Sequence, residues 1–214
     1  MIAGPKLPSG IASLSPSTAP RLENGLALES SELTAPNWAG QAASRATFDT
    51  LCLTSPDLTG AKLRDSGWSD VAIMGGQFGG LDLTGSSWRR IAVKSARLSG
   101  LILAEAELKD VTFTDAKLDL ANFRFAKLTR VHFIRCQLTE ADFAAAQLKA
   151  VAFVDCDLAA TDFSGATHFN TDLRGSTLTD LRGLSGLHGA TIDTGQLMQL
   201  APSLAQTLGI KISD

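Results

Sequence analysis

Hydrophobic residues recur at every fifth position of this chain. From Leu33 to Leu178 each fifth residue is Leu, Phe, Trp, Ile or Val, with Ala43 and His168 as the exceptions. Two residues earlier in each pentad the position is small or aliphatic, as at Ala96, Leu101, Ala106, Val111, Ala116 and Ala121. A period of five fits neither the 3.6 of an amphipathic helix nor the 2.0 of a half-buried strand. Self-similarity at a fixed period over so long a stretch points instead to a solenoid. The two tracks predict one inward-facing pair per pentad and three residues facing water.

A slower period of twenty lies over the first. It shows in Leu51, Val71, Ile91, Val111, Val131 and Val151, and in the neighbouring track that ends Ala116, Cys136, Cys156. Phe alternates with Leu at the central position from Phe113 to Leu138. Four pentads therefore make one coil with four distinguishable faces. Coils stacked at the ~4.8 Å spacing of paired strands give about seven coils and a rod of ~35 Å. Phe133 and Phe153 are expected on one ladder. Glycine at the fifth place, as at Gly60, Gly80, Gly100 and Gly165, suits a corner that needs positive φ.

Segments such as Ala61-Lys62-Leu63, Ala121-Asn122-Phe123, Ala141-Asp142-Phe143 and Thr161-Asp162-Phe163 resemble the A-(D/N)-(L/F)-x-x consensus of pentapeptide repeat proteins. The resemblance covers residues 31–180 and departs at Asn37, Trp38, Gln41 and Ala43. It implies an all-β fold, a right-handed quadrilateral β-helix. Residues 1–24, with Pro5, Pro8, Pro16 and Pro20 and no usable period, read as a flexible N-terminal tail, and 25–190 as the β-helix. Residues 191–214 read as a C-terminal helical cap. Leu197, Leu200, Leu204 and Leu208 form a helical stripe there, with Thr194 as N-cap, Gly209 as stop and Pro202 expected to kink or divide it. A solenoid has an open edge at each end, which such a helix would cover. The rest of the stripe is expected to pair with a second copy, giving a homodimer.

Composition adds mainly exclusions. The chain of 214 residues has 19 Lys and Arg against 22 Asp and Glu, net −3, without the basic excess of a nucleic-acid binder, so direct nucleic-acid binding is not expected. Three cysteines make no disulfide framework, and no Cys/His group has metal-ligand spacing. No apolar run approaches a membrane span, so a soluble, cytoplasmic protein is expected. His132 lies on an outward track and His188 in an irregular segment. His168 replaces a core Leu and is expected to be satisfied by the capping segment. Cys136 and Cys156 read as small inward spacers and Cys52 as outward-facing. The glycine-rich stretch 75–80 lacks the Lys-Ser/Thr end of a phosphate loop. No catalytic constellation, metal site or cofactor site is expected.

Charge is uneven along the chain. From Thr84 to Arg135 there are ten basic residues against five acidic. From Leu138 to Asp180 the acidic residues are Glu140, Asp142, Asp155, Asp157, Asp162, Asp172 and Asp180, against Lys149 and Arg174. Over about two coils this approaches one negative charge per ~2 Å, near the ~1.7 Å of duplex DNA. Asp142, Asp157, Asp162 and Asp172 also occupy the D/N place of the consensus, so ordinary repeat chemistry competes with a partner-binding acidic surface. The resemblance extends, in length and in the helix after the last coil, to pentapeptide repeat proteins that mimic DNA. Those are dimeric rods that bind type II topoisomerases, DNA gyrase and topoisomerase IV, and confer quinolone resistance. It implies a non-catalytic interaction rod of that kind. The alternative is an adaptor that binds another protein through its flat faces without DNA mimicry. An anion binder using Arg89, Arg90, Lys109, Arg130 and Lys149 is a weaker third reading, because Glu107 and Asp110 interrupt that set.

Overall fold

The computed structural model describes Lys6, Pro8 and residues 14–211. Strand β1 is Ser15–Pro16, and six eight-residue strands follow at intervals of twenty: β2 Ala27–Thr34, β3 Thr47–Thr54, β4 Gly67–Met74, β5 Ser87–Lys94, β6 Glu107–Thr114 and β7 Lys127–Ile134. Shorter strands continue the series as β8 Gln147–Lys149, β9 Ala152–Val154, β10 Thr167–Phe169, β11 Thr171–Asp172 and β12 Ala190–Thr191. Every pairing is parallel, and from β2 to β10 each offset is twenty residues, as in Phe113↔Phe133 and Phe133↔Phe153. This is the four-faced coil that the period of twenty predicts.

The faces follow from the ladders. Each long strand bends at its fourth residue, so its start lies on a first face and its end on a second. Single bridges from Asn37↔Asp57 to Asp157↔Thr177 make a third face, and those from Ala42↔Lys62 to Asp162↔Arg182 a fourth. Between faces, every fifth residue from Gly25 to Asp180 has φ between +48° and +79°. Most of these corners are not glycine. Leu120 and Phe125, both at φ 58°, hold a conformation that costs an L-residue about 1–2 kcal/mol. The stack fixes them there, since the Leu120 and Phe125 amides donate to the carbonyls of Thr139 and Ala144 in the next coil at 3.0 and 3.1 Å.

Beyond the Phe48, Trp68 and Trp88 run under the first face, phenylalanine rings fill the core in two ladders. Phe113, Phe133 and Phe153 stack beneath the second face, with centroids 5.1 and 4.9 Å apart and rings within 5° of parallel. Phe123, Phe143 and Phe163 stack beneath the fourth at 4.6 and 5.3 Å. The ladders meet edge to face, with Phe123 and Phe133 at 87° and Phe143 and Phe153 likewise. Small inward residues with a donor bond the carbonyl twenty-three residues back. Cys136 Sγ reaches Phe113 O at 3.4 Å, Cys156 Sγ reaches Phe133 O at 3.3 Å and Ser176 Oγ reaches Phe153 O at 3.0 Å. The two cysteines are therefore buried thiol donors as well as spacers.

The ends carry most of the differences from the sequence reading. The solenoid extends to about nine turns, beyond the regular pentads, because β1 and β12 add a partial rung at either end. Within the segment read as a flexible tail, Ser15 and Pro16 pair with Ser31 and Glu32, Trp38 Nε1 donates to Pro20 O at 2.7 Å, and Leu22 is buried. Those contacts anchor residues 14–24 to the first coils; of residues 1–13 only Lys6 and Pro8 are described. At the other end a 3-10 turn, Leu184–Leu187, folds over the last coil so closely that a Cβ on Gly186 would lie 1.9 Å from Phe163 O. Helix α1, Thr194–Thr207, follows. Its N-cap is Asp193 rather than Thr194, in a capping box with Gln196. It runs unbroken through Pro202, and the carbonyl that loses its donor belongs to Met198, on the exposed side of the helix where solvent has access.

Candidate functional site

The acidic residues are set first by turn chemistry. At the D/N place the side chain accepts a hydrogen bond from the amide two residues on, for example Asp142 from Ala144, Asp157 from Ala159 and Asp162 from Ser164 at 2.8 to 3.0 Å. Asn122 makes the same bond to Arg124. This Asx turn closes the outer loop of the pentad, and a neutral amide serves it equally well. The carboxylate is thus dispensable for folding, and its charge is left to act outward.

Five of the seven acidic residues converge on one edge. Asp157 lies on the third face, Asp142 and Asp162 are adjacent rungs of the fourth, and Glu140 and Asp180 are corners between those two faces. Glu140 and Asp180 are two coils apart, ~10 Å along the rod, so the edge carries about one charge per ~2 Å. Asp155 sits on the corner between the second and third faces, and Asp172 on the second face, so these two point elsewhere. Some of the charge is offset. Arg124 Nη1 lies 3.0 Å from Asp142, and Arg174 pairs with Asp172 at 2.7 Å. Burial works to raise the Asp162 carboxyl, but hydrogen bonds from Ser164 and the nearby Arg182 and Arg124 outweigh it and hold it below the usual carboxylate range. Asp172 is lowered mainly by Arg174.

The basic block dissolves in three dimensions. Residues twenty apart are vertical neighbours, so Arg90 pairs with Asp70, Arg130 with Asp110, Arg135 with Asp115 and Lys127 with Glu107. Arg89, Lys109 and Lys149 remain exposed on the first face, with Thr129 between the last two. Over Gly67 that face has a shallow dent of about 420 Å³ whose rim carries both Glu29 and Arg89, a mixed field rather than an anion site. Among the described residues no group of three or more His, Cys, Asp or Glu could hold a metal ion. His168 packs on Phe163 at 5.5 Å, and both of its ring nitrogens are buried without a partner, so the capping segment does not satisfy it. Burial pushes its pKa down to about 4.

The helix stripe splits. Leu200 is buried and Leu204 partly so, whereas Leu197 is 47% and Leu208 73% exposed. What the stripe does not announce is Gln196. It stands twenty residues after Ser176, is buried, and its Nε2 donates to Leu173 O at 2.6 Å and Ser176 O at 2.7 Å. The helix thereby continues the twenty-three-residue bonding of the core and satisfies the last coil's open carbonyls. Its register with Cys156 and Ser176 was the available signal. No helix of the described residues is long and apolar enough to cross a membrane.

Residues 126–182 match the pentapeptide repeat region. Among solved structures the chain is similar to trypsin-treated QnrB1, a plasmid-mediated fluoroquinolone resistance protein, at 20% identity over 90% of this chain and 99% of that one, with a TM-score of 0.49. It is also similar to HetL, a pentapeptide repeat protein involved in heterocyst differentiation regulation from Nostoc sp. strain PCC 7120, at 20% identity over 80% and 91% of the two chains, with a TM-score of 0.44. No curated protein matches it. The matched stretch 126–182 lies within the same five-residue frame and four-faced coil that run through the rest of the solenoid, and in these features the chain is similar to pentapeptide repeat proteins.

Proposed function

We propose that this protein is a non-catalytic interaction rod whose acidic edge, Glu140, Asp142, Asp157, Asp162 and Asp180, docks a basic protein surface. The convergence of these residues on one edge near the C-terminal end carries the reading, because their spacing along the rod approaches that of duplex phosphates. The partner chemistry that fits is a DNA-binding groove, and the specific candidate is a type II topoisomerase such as DNA gyrase or topoisomerase IV, shielded from quinolones. QnrB1, described as a fluoroquinolone resistance protein, is consistent with that choice. Exposed Leu197 and Leu208 would join two copies into a homodimer and bring two acidic edges together.

The ion pairs Arg124–Asp142 and Arg174–Asp172 favour a second reading, an adaptor that binds another protein without imitating DNA. One experiment separates them: binding to gyrase, and rescue of its supercoiling activity under a fluoroquinolone, by the parent and by an Asp142→Asn, Asp157→Asn, Asp162→Asn variant. The DNA-mimic reading expects steep salt dependence in the parent and loss of binding in a folded variant. Failure of the parent to bind gyrase removes the topoisomerase reading and leaves the adaptor.

A further inference from the structure

Leu120 and Phe125 are large apolar residues in places that do not call for them. They are corners, and the other corner residues from Gly25 to Asp180 are Gly, Ala, Ser, Thr, Asn, Asp, Glu or Arg. Both hold φ 58°, a conformation that suits glycine or asparagine. Both side chains also stand in water, 60% and 55% exposed. An exposed apolar group held at a strained corner adds nothing to the stability of the rod, which marks the pair for a contact outside it.

The two corners bracket one rung of the fourth face. Leu120 lies on the edge shared with the third face, where the corners that follow it are Glu140, Ala160 and Asp180. Those before it are Gly40, Gly60, Gly80 and Gly100, so no corner side chain shields Leu120 from that side. Phe125 lies on the edge shared with the first face, after Glu105. Between them the rung holds Asn122 and Arg124, and the rung before it half-buried Ile102 and Ala104. Arg124 spans the site, 5.6 Å over the Phe125 ring and 3.0 Å from Asp142 on the next rung. The apolar corners are therefore continuous with the acidic edge, and the carboxylates of Glu105, Glu140, Asp142 and Asp162 outnumber Arg124 around them. A partner that covers both must offer apolar groups beside lysine or arginine. Imitating duplex phosphates requires no apolar anchor, so this combination points to a protein.

We propose that Leu120 and Phe125, with Ile102 beside them, are the apolar anchors of the docking surface whose charge is the acidic edge. Its occupant is an amphipathic basic segment of a partner protein, with Lys or Arg against Glu140, Asp142 and Asp162 and its apolar side on the two corners. The inference rests on the reading of that edge as a docking surface and adds where its affinity beyond charge comes from.

Two fluorescent peptides of equal length and lysine content serve as probes, one a helix with leucines along one face and the other with serines in their place, each titrated by anisotropy. The parent should bind the leucine peptide about tenfold or more tighter than the serine peptide. Leu120→Gly/Phe125→Asn, in which glycine and asparagine accept the corner conformation and the rod stays folded, should bind both peptides alike. A preference for the leucine peptide that survives in this variant, or that the parent never shows, overturns the anchors and leaves the acidic edge as a purely electrostatic surface. No binding of either peptide at low salt removes the docking reading of the edge and the anchors with it. Light scattering across protein concentrations is run on both proteins; a doubled mass in the parent that the variant loses would assign the corners to a second copy and overturn the proposal.

Discussion

Asp110 and Arg130 stand twenty residues apart in sequence and one coil apart in space, joined by two hydrogen bonds of 2.6 and 2.7 Å at a corner where both have positive φ. Only 4% of the Asp110 side chain is exposed. Its Arg130 partner holds the carboxyl below the usual carboxylate range, so the pair's contribution is complete above about pH 4 and is lost as pH falls through the native value. Arg130→Leu strands a buried charge and should cost about 3 kcal/mol, whereas Asp110→Leu/Arg130→Leu should recover most of that. Denaturant melts of the single and double variants check this; a double variant as unstable as the single contradicts it.

His168 has the opposite chemistry with the same sense of pH dependence. Its native pKa, about 4, lies below the ordinary 6.5, so the unfolded chain takes up the proton first and stability falls as pH drops from about 6.5 to 4. His168→Leu restores the residue that the track calls for and should remove this slope, a gain of up to about 3 kcal/mol at pH 4. Thermal melts across that range decide it, and a slope that survives the substitution assigns the effect elsewhere.

The crossed ladders give Phe133 four ring contacts, stacked on Phe113 and Phe153 and edge-on to Phe123 and Phe143, as many as Phe143 has. Phe133→Ala should cost about 3–5 kcal/mol, and Gln137→Ala on the third face less than about 0.5. Comparable losses at the two sites would mean that inward and outward tracks are reversed.

At the C-terminal end, Leu200→Ala should destabilise the cap by about 2–4 kcal/mol, because Leu200 is buried against the last coil. Leu208→Asp, at a 73% exposed position, should leave the fold intact and shift any dimer to monomer by light scattering. A destabilised protein of unchanged mass would make Leu208 part of the cap alone.

The coil was legible because its signal is geometric: a residue must face inward at each fifth place whatever its neighbours do. The ion pairs were legible only in part. Counting charges along the chain makes a basic block of 84–135, but Asp70–Arg90 and Asp115–Arg135 are neighbours across coils, and the sum along the sequence hides their cancellation. The ends escaped for another reason. β1 is two residues long and contains Pro16, too short for any period to show, and Asp193 displaced Thr194 as cap because Gln196 three residues on completes its box. Five acidic residues converge where their positions modulo twenty place them on two adjoining faces; Asp155 and Asp172 fall on other faces by the same rule.

The left-handed corners have a consequence for how the chain can change. They recur at every fifth residue from Gly25 to Asp180 with no omission, and proline, whose φ is fixed near −65°, occupies none of them. The corners act as a reading frame. Inserting a single residue pushes every later pentad out of phase, sending each inward Phe to the outward place that follows it and a charged corner residue into the core. Such an insertion survives only if it is looped out where it occurs. Length can change freely in whole coils of twenty, and the binding positions before and after the change keep their faces while moving apart by one strand spacing.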